Sequence, residues 1–168
     1  MESVYASSIS GFSTLTGDAF AVDLANGRLE SSLFLSRQPL AAYDAFSYTM
    51  AFGSPTSDTS GRLFLARFNE SNSALVGYTF LGSGQPSMPS FAAGAAFGSS
   101  SSSAGDWNSD GTEDILVGAP GNGGLAGVVY CIYLSELGAA AGHFAVSGEL
   151  GSVSAADSFG KAVAAHAD

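Results

Sequence analysis

Apolar residues along this chain occur in short runs separated by clusters of Gly, Pro, Ser, Asn and Asp, the pattern of strands joined by turns. The runs predict strands near 33–41, 48–53, 62–68 and 75–81, and again near 97–105, 114–118, 128–134 and 143–148. Upstream, Val4-Tyr5 ends one strand and Phe12 to Leu15 forms another, followed by a connector from Asp18 to about Ser32. A single helical turn is expected over 135–141, capped by Ser135. The expected class is all-β.

The pattern repeats. Gly53-Ser54-Pro55 precedes Gly118-Ala119-Pro120 by 65 residues, and Gly61 before Leu63-Phe64-Leu65 precedes Gly127 before Val129-Tyr130-Cys131 by 66. Leu81-Gly82 precedes Ser147-Gly148 by 66, and Phe97-Gly98 precedes Phe159-Gly160 by 62. Landmarks recurring at this spacing describe an array of similar units, each of several short strands.

Composition narrows the function. The chain has 168 residues, enough for one domain, with fifteen acids against five bases and a net charge of −10. That balance is a poor match to nucleic acid or an anionic membrane and a good one to divalent cations. The hydrophobic share of 46% allows a core. No apolar run approaches the ~20 residues of a membrane helix. Met1-Glu2-Ser3 lacks the basic region and hydrophobic segment of a signal peptide. The lone Cys131 has no partner for an internal disulfide and reads as a small buried hydrophobe.

One stretch carries explicit chemistry. In Asp106-Trp107-Asn108-Ser109-Asp110-Gly111-Thr112-Glu113-Asp114, oxygen-bearing side chains fall at positions 1, 3, 5 and 9, with glycine at 6. Calcium takes six to eight oxygens at about 2.3–2.6 Å from carboxylates, amides and carbonyls. Odd spacing in a tight loop turns alternate side chains to one centre, and Gly111 permits a bend that brings the Thr112 carbonyl round. The helix–loop–helix form needs a glutamate at position 12, where Val117 stands. Apolar Ile115, Leu116 and Val117 make this a loop between strands. The plain alternative is a solvated turn rich in Asp, Asn and Gly.

Phe97-Gly98, this loop, and Val117-Gly118-Ala119-Pro120, in that order, resemble an FG-GAP repeat, the blade unit of the integrin alpha-subunit N-terminal β-propeller; the match spans 97–134. The resemblance implies a β-propeller fragment of about two and a half four-stranded antiparallel blades. It makes Asp106, Asn108, Asp110 and Asp114 side-chain ligands of Ca2+ and Thr112 a backbone ligand, with the ion mainly structural. Residues 1–17 are then the tail of a preceding blade, 18–82 a degenerate blade with its connector, 83–151 a complete blade, and 152–168 the start of a next one.

The first unit departs from that pattern. Leu35-Ser36 stands where Phe-Gly belongs, and the segment 44–49 is short and keeps one carboxylate, so no metal is expected there; Asp44 reads as a turn or cap residue. Ser99 to Ser103, linker-like in composition, falls inside the inferred first strand, where small side chains fit the crowded axis. Gly121-Asn122-Gly123-Gly124 reads as a hairpin loop, since no Lys-Ser/Thr follows as in a phosphate cradle. Asp168 holds position 1 of a further loop, and one carboxylate cannot complete a coordination shell. His143 and His166 are expected on strands. Open propeller edges favour a fragment of a longer protein, or assembly with itself or a partner.

Catalysis has little support, since no nucleophile elbow or Ser/Cys–His spacing is present. The favoured reading is therefore not an enzyme. It is a calcium-binding propeller segment of a cell-surface or secreted protein, recognising a protein or glycan ligand together with the remaining blades of its parent. The alternative is an accessory propeller of a secreted, phospholipase-like hydrolase whose catalytic domain lies elsewhere; a third is a purely structural array.

Overall fold

The computed structural model describes residues 31–40, 45–121, 126–147 and 157–165. Among these the chain is all-β, with no helix. β1 (Ser31–Leu40), β2 (Ala45–Ser54), β3 (Arg62–Asn69) and β4 (Leu75–Gly82) form one antiparallel sheet in chain order. β5 (Ser100–Gly105), β6 (Asp114–Ala119), β7 (Val128–Leu134) and β8 (Ala140–Ser147) form a second, also in chain order. Short strands separated by turns of a few residues leave each strand only its sequence neighbour to pair with, and both sheets are simple meanders.

Alternation along β3 and β7 sets the layers. Leu63 and Leu65 enter a core shared by both sheets, while Phe64, Ala66 and Phe68 enter a second cluster on the opposite face. From the second sheet the shared core takes Ile115, Val117 and Ala119 of β6 and Val128, Tyr130, Ile132 and Leu134 of β7. Strands apolar on both faces read as the near-continuous runs seen in the sequence. Phe97 and Phe91, between the sheets, stack at 4.5 Å, and the Tyr130 ring meets Phe91 edge-on at 5.3 Å.

The repeat landmarks recur in space. Phe97 forms a parallel bridge with Gly61, and Phe159 forms the same bridge with Gly127. The Phe97 N–H donates to Ser60 O at 2.9 Å and the Phe159 N–H to Ala126 O at 2.6 Å. Residues 159–160 thus stand to the second sheet as 97–98 stand to the first.

Two expectations are corrected. The expected helical turn over 135–141 is instead a hairpin turn at 135–139 followed by the start of β8: Gly138 N donates to Ser135 O at 2.7 Å and Ser135 N to Ala139 O at 2.9 Å. Pairing of β8 from Ala140 onward and the positive φ of Gly138 (76°) leave no room for a helix, though Ser135 Oγ does accept the Ala139 N–H. The first strand of the second sheet starts at Ser100 rather than Phe97, because Ala96 and Gly98 take positive φ (55° and 91°) to set Phe97 against Gly61. Ser100–Ser103 are strand as expected, and His143 lies on β8. The readings for residues 1–30, Asp44, the glycines at 123 and 124, His166 and Asp168 fall outside the described residues.

Candidate metal centre

β5 ends at Gly105 and β6 begins at Asp114, so residues 106–113 are a strand-to-strand loop. Positive φ at Gly105 (68°), Ser109 (61°) and Gly111 (87°) folds it back on itself. Only Gly takes this backbone region freely, which places Gly105 and Gly111 at the two bends.

The loop side chains turn inward. Asp106 Oδ1 and Asn108 Oδ1 accept the same Asp110 N–H, each at 3.0 Å. Asp106 Oδ2 accepts Gly111 N–H at 2.9 Å, and Asp110 Oδ1 accepts Thr112 N–H at 2.8 Å. The Asn108 side-chain amide donates to Asp110 Oδ2 at 2.8 Å. Positions 1, 3 and 5 therefore converge on one stretch of backbone, a chain of Asx turns.

Asp114 stands apart. It is fully buried, and its oxygens hold down both ends of the unit. Oδ2 accepts the N–H groups of Trp107 at 2.9 Å and Asn108 at 3.3 Å, while Oδ1 accepts that of Leu134 at the end of β7 at 3.0 Å. Beside it, Ser103 Oγ on β5 bonds Glu113, turning that carboxylate toward the sheet and out of the ligand spacing.

The donor set fits a hard cation. Every candidate atom is oxygen, and each carboxylate has about four lone-pair sites, of which backbone and amide donors use two or three. Among the described residues a salt bridge joins Arg62 to Asp58, and no ion pair is seen at Asp106, Asp110 or Asp114. The Asn108 side-chain amide, and then the Thr112 N–H, hold the Asp110 carboxyl below the usual carboxylate range. The acids are held by amides rather than gathered as a three-carboxylate cluster, and among the described residues no His, Cys, Asp or Glu side chains group that way. The resemblance's ligand set relies instead on Asn108 and the Thr112 carbonyl.

Two features were not read from the sequence. Trp107 is 58% exposed, and its ring lies 5.7 Å from Phe144 of β8. With Leu116, Val129, Cys131 and Val146 these rings line an apolar groove of about 530 Å³ on the outer face of the second sheet. A lone tryptophan inside an acidic turn was the available signal. A smaller crevice of about 190 Å³ runs between the sheets beside Thr112 and Glu113. It is bordered by Arg67, whose guanidinium donates to Glu136 O at 3.1 Å. Comparison of the chain with protein-family models and with curated proteins gives no match.

Proposed function

We propose that this chain is a calcium-binding repeat segment of FG-GAP type, part of a β-propeller in a cell-surface or secreted protein that recognises a protein or glycan ligand. One observation carries the reading. Three oxygen-bearing side chains at odd spacing, Asp106, Asn108 and Asp110, turn to a single point in the loop that opens a repeated four-stranded unit. Neighbouring hydrogen bonds keep Asp110 ionised, and no described cation balances the acids.

Asp106, Asn108 and Asp110 with the Thr112 carbonyl would hold the ion, and Asp114 would join them through a lone pair that Trp107, Asn108 and Leu134 leave unused. Bound calcium supplies positive charge that offsets the crowded acids and fixes the β5–β6 loop. The protein's own residues do the rest: Gly105 and Gly111 set the bends, and Asp114 fastens the loop to β7. A surface site with two exposed carboxylates suits the millimolar calcium outside cells.

A calorimetric calcium titration of the chain beside its Asp110→Ala variant tests this. One site in the parent, lost in the variant, with a melting temperature that rises with calcium, is the expected result. Equal binding in both, or none in a folded parent, leaves residues 106–114 an ordinary acidic turn.

A further inference from the structure

We infer that Asn69, at the tip of the β3–β4 hairpin, is an acceptor of N-linked glycan. This goes beyond the calcium reading and rests only on its placement of the chain in a secreted or cell-surface protein.

The sequence singles out one asparagine. Of Asn26, Asn69, Asn72, Asn108 and Asn122, only Asn69 has a hydroxyl residue two positions on, in Asn69-Glu70-Ser71. That spacing, with no proline between, is the acceptor pattern for N-glycosylation and belongs on a surface turn. Asn72 and Asn108 have their serines one position on, at Ser73 and Ser109, and do not fit it.

The fold puts the triplet on such a turn. β3 ends at Asn69 and β4 begins at Leu75. The Asn69 N–H donates to Ala74 O and the Ser73 N–H to Asn69 O, each at 2.8 Å, which closes the hairpin. Glu70, Ser71, Asn72 and Ser73 are all exposed. Within the triplet, Asn69 Oδ1 accepts the Ser71 N–H at 2.8 Å, an Asx turn that holds carboxamide and hydroxyl residue on one bend. Among the described residues no hydrogen bond engages Asn69 Nδ2 or the Ser71 hydroxyl. Neither apolar cluster includes a residue of 69–74, and neither does the crevice between the sheets or the groove beside Trp107. A bulky polar substituent on Asn69 therefore displaces no core side chain.

The chemistry is a glycosyl transfer from an oligosaccharide carried on a lipid diphosphate. Asn69 Nδ2 attacks the anomeric carbon, forming the N–C bond. The bond from that carbon to the diphosphate oxygen breaks, and the lipid diphosphate leaves with the bonding electrons. The amide gives up one proton to a base of the transferase, and nothing is oxidised or reduced. Turn-making alone does not need this pair of residues. An aspartate at 69 supplies the same acceptor oxygen, and the Ser71 N–H belongs to the backbone.

The test sends the full chain into the secretory lumen of a eukaryotic cell behind a cleavable signal. A short flexible tail after Asp168 carries Asn-Gly-Thr as a second acceptor. We expect the parent to gain a glycan at Asn69 and another on the tail, both removed by peptide N-glycanase, with Asn69 converted to aspartate. Asn69→Asp and Ser71→Ala should each lose the first glycan and keep the melting temperature of the stripped parent. Ser71→Thr should keep both glycans. A modified tail beside a bare Asn69 overturns the site, because the chain then met the transferase and was refused. So does a glycosylated chain that melts well below its stripped form, since the folded turn then has no room for the glycan. Melts in chelator keep the cation loop out of the result, so the glycan and the calcium site can each fail alone.

Discussion

Asp114 accepts the backbone N–H of Leu134, twenty residues along the chain, at 3.0 Å, while its other oxygen takes the N–H groups of Trp107 and Asn108. One buried carboxylate thus ties the start of the loop to the end of β7. Removing an acceptor from a buried N–H costs about 1–3 kcal/mol for each group left unpaired. Asp114→Asn keeps one acceptor oxygen but sets its NH2 against the N–H of Leu134, or against those of Trp107 and Asn108 if flipped, which it cannot satisfy. In chelator it should destabilise the chain by about 1–3 kcal/mol on that accounting, with one N–H left unpaired. Asp110→Ala, at an exposed position, should stay within about 0.5 kcal/mol under the same conditions. Denaturant melts in chelator decide the matter, and a neutral Asp114→Asn removes the anchoring role.

Glycines at the inter-unit bridges should tolerate no side chain. Gly127 has φ 105°, and a Cβ there would be driven into the Phe159 backbone, whose N and C would lie only 2.9 Å away. Gly84 has a similar φ of 84°, but nothing lies within 4 Å of its Cβ position. Gly84→Ala should therefore cost only the left-handed backbone strain, about 1–2 kcal/mol. Gly127→Ala should cost clearly more, because a backbone must shift. Equal melting temperatures for the two variants would mean that residues 159–160 do not press on β7.

The strands were legible because turn residues punctuate the apolar runs: β1, β3, β4, β6 and β7 lie within two residues of expectation at both ends, while β2, β5 and β8 each start three residues away from it. The loop was legible as a spacing of oxygens. The double duty of Asp114 was not, since its partner Leu134 is set by the β6–β7 register and no local pattern encodes it. The 135–141 turn failed for a similar reason: a Ser followed by Glu, Leu, Gly and Ala carries helix-cap signals, and pairing of β8 with β7 overrode them. Trp107 was passed over because turn residues were weighed for ligation rather than for what they cover.

The two Phe-Gly phenylalanines should differ in weight. Phe97 is fully buried, stacked on Phe91 and edge-on to Tyr130 at 6.1 Å. Truncating such a ring leaves a cavity, and Phe97→Ala should cost about 3–5 kcal/mol. Phe159, its equivalent at the second bridge, is only partly buried, so Phe159→Ala should cost less. Equal losses, read from denaturant midpoints at constant slope, would show that the outer face of the second sheet is already closed.

Cys131 reports on the same face. It lies on β7 with its side chain buried at the floor of the groove. Burial, and then the Asp114 charge, push its thiol up to about 11. The thiolate is the reactive form, so alkylation by iodoacetamide near pH 8 should be slow in the native chain and fast in denaturant. The pH dependence has a fixed sign. A thiol pKa raised above its ordinary value of 9.0 leaves the folded state holding its proton to higher pH than the unfolded state. The stability from this group is therefore complete below pH 9 and is lost as pH rises toward 11. Cys131→Ala should flatten that part of the stability profile. A native thiol that reacts as quickly as the denatured one would place Cys131 in open solvent and contradict the packed floor.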